Sequence, residues 1–214
     1  MNIKVCGITS LQQLIDLDKL MVDYAGLVFD EHSYQYVVGK INPMDVVSAD
    51  LDIKLVGVFA NTSMETVREN IEMYQLSMVQ LNGSESPEYC RELSDDIEVI
   101  KTFYINDFDE EKIHEMIQYY DSSCDYYSFD NVMRSMNNGI TKSFNWKMIG
   151  DTSVEKPFFI GGGGIRPSDA TLLHRFKHPD FFGVDINNNF EKEPGVKDTS
   201  LILSFMRAVN QVDN

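Results

Sequence analysis

Short apolar runs alternate with stretches of helical periodicity along the whole chain. The first run covers residues 3–6 and ends at Gly7, and Leu11, Leu14 and Leu17 then recur at helical spacing. Further runs predict strands at residues 25–29, 53–60, 78–81, 97–103, 126–129, 158–161 and 181–186. The segments between them predict helices at residues 45–49, 110–119, 143–149, 167–174 and 201–209.

Two further helices are indicated by their capping residues. Thr62 is followed three residues later by Glu65, a spacing that predicts a capping box at the start of the third helix. Ser86 is followed by Pro87, which predicts an N-cap and the first residue of the fourth helix. The pattern thus gives eight strands and about eight helices in strict alternation.

This alternation predicts a parallel α/β fold, and eight units favour a closed (β/α)₈ barrel over an open sheet. Such barrels need at least about 200 residues, so a chain of 214 residues has room for one barrel with short loops. We therefore expect residues 1–214 to form a single (β/α)₈ catalytic domain.

The longest segment without a clear pattern covers residues 131–142, after the sixth predicted strand. A loop of this length in a compact domain is often functional, which suggests a lid that brings Arg134 or Lys142 to a ligand. An ordinary solvated loop explains the same composition, and both interpretations stay open.

The charge balance restricts the class of ligand. The net charge is −16, from 34 acidic and 18 basic residues, and nucleic acid needs a basic surface. We therefore expect no nucleic-acid partner. A small anion remains compatible, because backbone N–H groups can hold a phosphate inside an acidic protein.

Cysteine usage and hydropathy indicate the compartment. The three cysteines, Cys6, Cys90 and Cys124, are far apart and form no CxxC pair, so we expect neither a disulfide framework nor a zinc site. No run of about 18 apolar residues predicts a membrane helix. The first seven residues lack the apolar region of a signal peptide, and we expect a cytoplasmic protein.

The active site of such a barrel lies at the carboxyl ends of the strands. The two last loops are the most informative, because loops after strands seven and eight commonly bind phosphate. Glycine lets the backbone approach an anion closely, although a glycine run also suits a flexible turn. The predicted phosphate-binding residues are Gly162, Gly163, Gly164, Asp185, Asn187, Asn188 and Asn189.

Cys6 ends the first predicted strand and Asp130 follows the sixth. A cysteine in this place is often a buried core residue, and an aspartate is often a helix cap or an ion-pair partner. Together the two could instead form an acid/base pair, in which a thiolate takes a proton and a carboxylic acid gives one.

The ordered motifs of this chain resemble the phosphoribosylanthranilate isomerase family. Lys4-Val5-Cys6-Gly7-Ile8-Thr9 is similar to the family's first motif, and the likeness continues in order almost to the end of the chain. The other matching segments lie at residues 26–29, 33–37, 56–59, 79–88, 129–130, 141–146, 162–167, 183–185 and 191–198.

The resemblance implies an Amadori rearrangement of a phosphosugar, with Cys6 as general base and Asp130 as general acid. It implies no metal and no organic cofactor, because the imine of the substrate itself accepts the electrons. The acid must keep its proton at neutral pH, and we expect Phe129 and the barrel interior to supply the apolar surroundings.

The chain departs from the family pattern at residues that would face the substrate. Gln35 stands where the family arginine recognises the anthranilate carboxylate, and Lys40 or Arg134 are candidates to replace that charge. Asn82 stands in place of a histidine. Asn189 stands in place of a glycine, where we expect left-handed backbone.

These departures leave other functions open. An isomerase or epimerase of another sugar phosphate would keep the phosphate loops and change Gln35 and Asn82. A non-catalytic barrel that binds a phosphorylated metabolite is a third alternative, against which the Cys6–Asp130 pair argues. The sequence leaves both a homodimer and a monomer open.

Overall fold

The computed structural model describes residues 1–105, 110–130, 149–150, 152–161 and 164–210. Eight parallel strands form a closed barrel in the order of the chain, and the first strand pairs with the eighth. This confirms the predicted barrel. The strands are β1 (Asn2–Cys6), β2 (Tyr24–Val28), β3 (Lys54–Phe59), β4 (Met78–Leu81), β5 (Glu98–Tyr104), β6 (Tyr126–Asp130), β7 (Phe158–Gly161) and β8 (Phe181–Ile186).

Helices follow the strands around the barrel. They are α1 (Leu11–Lys19), α2 (Pro43–Ser48), α3 (Met64–Tyr74), α4 (Pro87–Ser94), α5 (Glu110–Tyr120), α6 (Ala170–Arg175) and α7 (Thr199–Val209). A 3-10 turn, Pro167–Asp169, precedes α6. After β8 the chain forms a hairpin of two short strands that the sequence did not predict, β9 (Glu191–Glu193) and β10 (Val196–Lys197).

The predicted cap of α3 is wrong by one residue. Ser63, not Thr62, is the N-cap, and its side chain accepts a hydrogen bond from the backbone N–H of Thr66. Glu65 therefore lies one position before the place it would need for the predicted capping box. The prediction for α4 is confirmed, because Ser86 caps the helix and Pro87 is its first residue.

Side chains alternate between the two faces of each strand, and the inward face forms two kinds of layer. An apolar cluster closes the barrel near the amino ends of the strands; it contains Tyr24, Val56, Met78, Ile100 and Phe159. Above this floor, buried polar side chains occupy the interior; among them are Lys4, Gln80, Thr102, Ser128 and Asp185. The barrel is thus sealed at one end and polar at the other.

Phe129 does not surround the carboxylate of Asp130 as the sequence suggested. It belongs to the core between strands and helices and packs edge-on against Phe158 at 5.4 Å. Neighbouring residues of a strand face opposite sides, so the inward position of Asp130 places Phe129 outside the barrel.

Several predicted features lie outside the described residues. They include the segment 131–142 with Arg134 and Lys142, and the predicted helix at residues 143–149 except its last residue. Among the helices that the structure describes, none is long and apolar enough to cross a membrane.

Candidate active site

Cys6 lies at the carboxyl end of β1, inside the barrel mouth, with 6% of its surface exposed. It forms a small buried cluster with Val28 and Val58. The neighbouring strand makes room for its thiol, because a methyl group built on Gly26 would lie 2.7 Å from Sγ of Cys6. Any larger residue at position 26 would therefore displace the thiol.

We expect Gly26→Ala to destabilise the protein by about 1–3 kcal/mol, the usual cost of overpacking, and to lower turnover by moving Sγ. Denaturant unfolding and a kinetic assay would measure both effects. Gly150→Ala is a suitable control, since a methyl group there would meet only a ring carbon of Phe176 at an ordinary 3.5 Å. Unchanged stability and activity in the Gly26→Ala variant would contradict this account.

Lys4 and Asp185 form a buried ion pair inside the barrel. Lys4 lies two residues before Cys6, on the same face of β1. Nζ of Lys4 lies 2.7 Å from Oδ2 of Asp185, and the two side chains are only 1% and 5% exposed. Sequence reasoning placed Asp185 in the phosphate site, whereas the structure places its side chain within the interior. Its other oxygen, Oδ1, is buried without a hydrogen-bond partner in the described part of the chain.

Charges around Cys6 act on its acidity in opposite directions. Burial raises the pKa of the Cys6 thiol, and the carboxylate of Asp185 raises it further. The ammonium groups of Lys4 and Lys197 lower that pKa and compensate in part. On balance the pKa of the thiol is raised, so the thiol is protonated at neutral pH. The two lysines make the thiolate less unfavourable than burial alone would.

Gln35 links the loop after β2 to the loop after β8. Its Nε2 donates to Oδ1 of Asn187 and to Oε1 of Glu191, both at 2.7 Å, and its Oε1 accepts from Nδ2 of Asn187 at 3.1 Å. Nζ of Lys197 donates to the same two oxygens, at 2.7 and 2.8 Å. Gln35 is 4% exposed, and its amide is already committed to bonds within the protein.

Neither Lys40 nor Arg134, the two candidates to replace the family arginine, is seen to supply its charge in the described part of the chain. Nζ of Lys40 donates to the backbone carbonyl of Tyr34 at 2.5 Å. Arg134 lies outside the residues that the structure describes. The described part of the chain therefore holds the amide of Gln35 in a network but places no guanidinium beside it.

The asparagines after β8 differ from expectation at one position. Asn189 does not adopt the left-handed backbone of the glycine it was expected to replace; it lies in a 3-10 turn, Asn188–Phe190. Its Nδ2 donates to the carbonyl of Ile165 at 2.8 Å, which connects the loops after β7 and β8. Oδ1 of Asn188 accepts a weak hydrogen bond from the Tyr34 hydroxyl at 3.3 Å.

The glycine segment after β7 is described only in part. Gly164 lies among the described residues, whereas Gly162 and Gly163 do not. Gly161 has a packing role, because a methyl group built on it would lie 2.5 Å from Cβ of Asp185. A phosphate site at these loops stays a prediction.

Asp130, Tyr104 and Asn82 lie on the other side of the mouth. Tyr104 pairs in register with Asp130 on the adjacent strand. Burial raises the pKa of the Tyr104 phenol, and Asp130 is the largest of the charges that raise it further. Asn82 follows β4, and its Oδ1 accepts from Nε2 of Gln80 at 3.0 Å and from Oγ1 of Thr102 at 2.7 Å.

Sequence reasoning missed Tyr104 and also a buried ion pair beside Asn82. Nζ of Lys101 lies 2.8 Å from Oε2 of Glu85 and donates to the carbonyl of Gly83 at 2.7 Å. Oε1 of Glu85 accepts from the backbone N–H groups of Asn61 and Gly83. This network holds the loop that carries Asn82 in place. The only signal of it in the sequence is the position of Glu85 shortly after a predicted strand.

A metal centre has no counterpart in the part of the chain that the structure describes. No group of three or more His, Cys, Asp and Glu side chains is placed there to hold an ion. The described site offers acid/base groups and hydrogen-bond donors instead.

Other proteins are similar to this chain in sequence and in fold. A protein from Parabacteroides distasonis called N-(5'-phosphoribosyl)anthranilate isomerase is 35% identical, over 98% of this chain and 93% of its own length. The protein of the same name from Phocaeicola vulgatus is 32% identical, over 99% and 98%. The crystal structure of phosphoribosyl anthranilate isomerase from Thermotoga maritima superposes with a TM-score of 0.80 at 26% identity, over 98% of each chain.

Another solved structure of phosphoribosyl anthranilate isomerase holds reduced 1-(o-carboxyphenylamino)-1-deoxyribulose 5-phosphate. It covers 98% of this chain with a TM-score of 0.77 and 26% identity. The family model described as N-(5'phosphoribosyl)anthranilate (PRA) isomerase matches residues 3–208, nearly the entire chain. The chain therefore belongs to the phosphoribosylanthranilate isomerase family.

Proposed function

We propose that this chain catalyses the rearrangement of N-(5'-phosphoribosyl)anthranilate to 1-(2-carboxyphenylamino)-1-deoxyribulose 5-phosphate in tryptophan biosynthesis. Cys6 serves as general base and Asp130 as general acid. The observation that carries this proposal is the placement of a buried thiol and a carboxyl at the inward ends of β1 and β6, in one barrel mouth. The proposal gains support from the family to which the chain belongs.

The first two proton transfers each have a group to perform them. In the first step Asp130 donates a proton to the ring oxygen; the bond from C1 to that oxygen breaks while the nitrogen lone pair forms a C=N bond. In the second step the Cys6 thiolate takes the proton from C2; the electrons of the C2–H bond form a C1=C2 double bond, while the electrons of the C=N bond move to nitrogen. The resulting enol-amine gains a proton at C1 and loses one from its hydroxyl, which leaves the ketone.

The surroundings of Cys6 suit a base that is charged only transiently. Lys4 and Lys197 act against the burial that raises the pKa of the thiol, so ionisation costs less than in an apolar pocket. Asp185 holds Lys4 in place by their ion pair. These two lysines act through Cys6 and are positioning residues.

The phosphate of the substrate would lie at the loops after β7 and β8, which is the usual place in such barrels. Gly162, Gly163 and Gly164 would offer backbone N–H groups to it, as would the turn that holds Asn187, Asn188 and Asn189. This placement puts the phosphate on the β7–β8 side of the mouth and leaves the rest of the substrate to cross the barrel axis.

A fluorescence assay with freshly prepared phosphoribosylanthranilate tests the proposal. We expect turnover by the wild type; in the Asp130→Asn variant, where no carboxyl group titrates at position 130, we expect the residual kcat/KM to rise about tenfold per pH unit between about pH 6 and pH 8. The sign follows from the raised pKa of the Cys6 thiol: the thiolate fraction, which is the active form, grows with pH throughout that range. A rate that falls over this range would contradict a thiolate base.

An isomerase or epimerase of another sugar phosphate is the alternative, and the engaged amide of Gln35 is the observation that favours it. A well-folded wild type that does not turn over phosphoribosylanthranilate, but binds another phosphosugar tightly, would establish this alternative.

A further inference from the structure

The aryl carboxylate of the proposed substrate needs hydrogen-bond donors, and position 35 does not supply them. The two nearest acceptors of the Gln35 Nε2 group are protein oxygens at 2.7 Å, and its Oε1 accepts from Asn187. A neutral amide also lacks the charge and the planar fork with which arginine holds a carboxylate. The donors must therefore lie elsewhere in the mouth.

The order of the strands points to the side of the barrel on which to look. In a closed ring of eight strands, β3 lies opposite β7 and β4 lies opposite β8, and β5 is the neighbour of β4. When the phosphate is bound at the loops after β7 and β8, the other anionic end of a substrate that crosses the axis lies near the ends of β3 and β4, next to β5.

Asn82 presents free donors at this place. Its Oδ1 accepts from Gln80 and Thr102, which fixes the orientation of the amide. Nε2 of Gln80 also donates to the hydroxyl of Thr102 at 3.1 Å, so the three side chains hold one another. Among the described residues none accepts a hydrogen bond from Nδ2 of Asn82, which is half-buried beside the mouth.

Tyr104 presents a second donor on the adjacent strand. Ile100 and Thr102 face the interior, so the alternation of β5 turns Tyr104 inward as well. Within the described part of the chain no group forms a hydrogen bond with its hydroxyl. The register places Tyr104 beside Asp130 of β6, and β5 is also paired with β4, the strand that Asn82 follows.

We propose that Nδ2 of Asn82 and the hydroxyl of Tyr104 together bind the carboxylate on the aromatic ring of the substrate. The inference rests on the proposed isomerase function and adds two specificity-determining residues to it. It explains how a chain whose Gln35 amide is engaged within the protein recognises an anthranilate group.

The charges near this pair are compatible with an anion. The carboxylate of Glu85 is neutralised by Lys101 and by two backbone N–H groups. Burial raises the pKa of Tyr104, which keeps the phenol neutral and able to donate. Two neutral donors hold a carboxylate less tightly than an arginine does.

Two ligands test the pair directly: reduced 1-(o-carboxyphenylamino)-1-deoxyribulose 5-phosphate, and its counterpart without the carboxylate. Calorimetry would give Kd for both, with Tyr104→Phe, Asn82→Asp and the control Tyr119→Phe beside the wild type. We expect Tyr104→Phe to weaken the carboxylated ligand about tenfold and to leave the other within about twofold. Asn82→Asp keeps the acceptor oxygen, adds a like charge, and should weaken the carboxylated ligand by more than about tenfold.

The control removes the same phenolic oxygen from an exposed tyrosine of α5, 66% accessible, and should leave both affinities unchanged. Equal losses for both ligands in the Tyr104 and Asn82 variants would overturn the assignment, since a structural role affects the two alike. A wild type without turnover that still distinguishes the ligands would refute the proposed reaction and keep this site. If the wild type turns over phosphoribosylanthranilate but both variants still distinguish the two ligands as the wild type does, the proposed reaction stands and this carboxylate site is refuted.

Discussion

Replacement of Cys6 by serine is expected to lower kcat by about 10²–10⁴-fold, the usual contribution of a general base. Serine fits the same space, and its hydroxyl does not ionise at neutral pH, so it cannot take the C2 proton. Steady-state fluorescence kinetics with phosphoribosylanthranilate would measure the loss. Circular dichroism would check that the variant keeps the fold.

Asp130→Asn belongs to the same experiment because it removes the proposed acid and keeps the shape of the side chain. We expect a loss of similar size, since an amide cannot protonate the leaving ring oxygen. Cys90→Ser is the matched control: Cys90 lies in α4, away from the mouth, and its change should affect stability more than turnover. Full activity in the Cys6→Ser variant would remove the thiol from the mechanism.

Lys4→Met is expected to lower the free energy of unfolding by about 3–5 kcal/mol, because it leaves the buried carboxylate of Asp185 without its partner. Methionine has nearly the length of lysine, so the loss of charge dominates over any loss of packing. Urea unfolding followed by circular dichroism would measure the difference from the wild type.

The double variant Lys4→Met with Asp185→Leu separates charge from packing. Apolar replacement of a whole buried ion pair is often neutral or stabilising, so we expect most of the lost stability to return. Turnover should stay low in both proteins, since Lys4 no longer favours the Cys6 thiolate. If the double variant is as unstable as Lys4→Met alone, the loss of unfolding free energy comes from packing and not from the unpaired charge.

The barrel could be predicted from the sequence because each strand and helix carries its own periodicity. Ser86 and Pro87 fix the start of α4 by local chemistry, and the structure agrees. The start of α3 was ambiguous, because Thr62 and Ser63 are both good caps and only the path of the backbone selects one. Local signals thus identify elements better than their ends.

The interior of the site could not be predicted in the same way. The partners Lys4 and Asp185 are 181 residues apart, and Gln35 lies 152 residues from Asn187. Such pairs arise from the closure of the barrel, and no local pattern records them. The sequence does not single out Tyr104, because tyrosine is common in strands and its place at the end of β5 needs no further explanation. Only the register of the strands shows that it faces the mouth.

The hairpin of β9 and β10 gives the site a late place in the order of folding. The carbonyl of Gly195 accepts from the hydroxyl of Thr9 across 186 residues, and the N–H of Lys197 donates to Gln13 across 184. The loop behind Cys6 is therefore fastened by a segment that lies 184 to 186 residues later in the chain. Contacts of such long sequence separation are the slowest to form. The proposed base lies on the first strand, yet its surroundings are complete only when the eighth strand and the hairpin have docked.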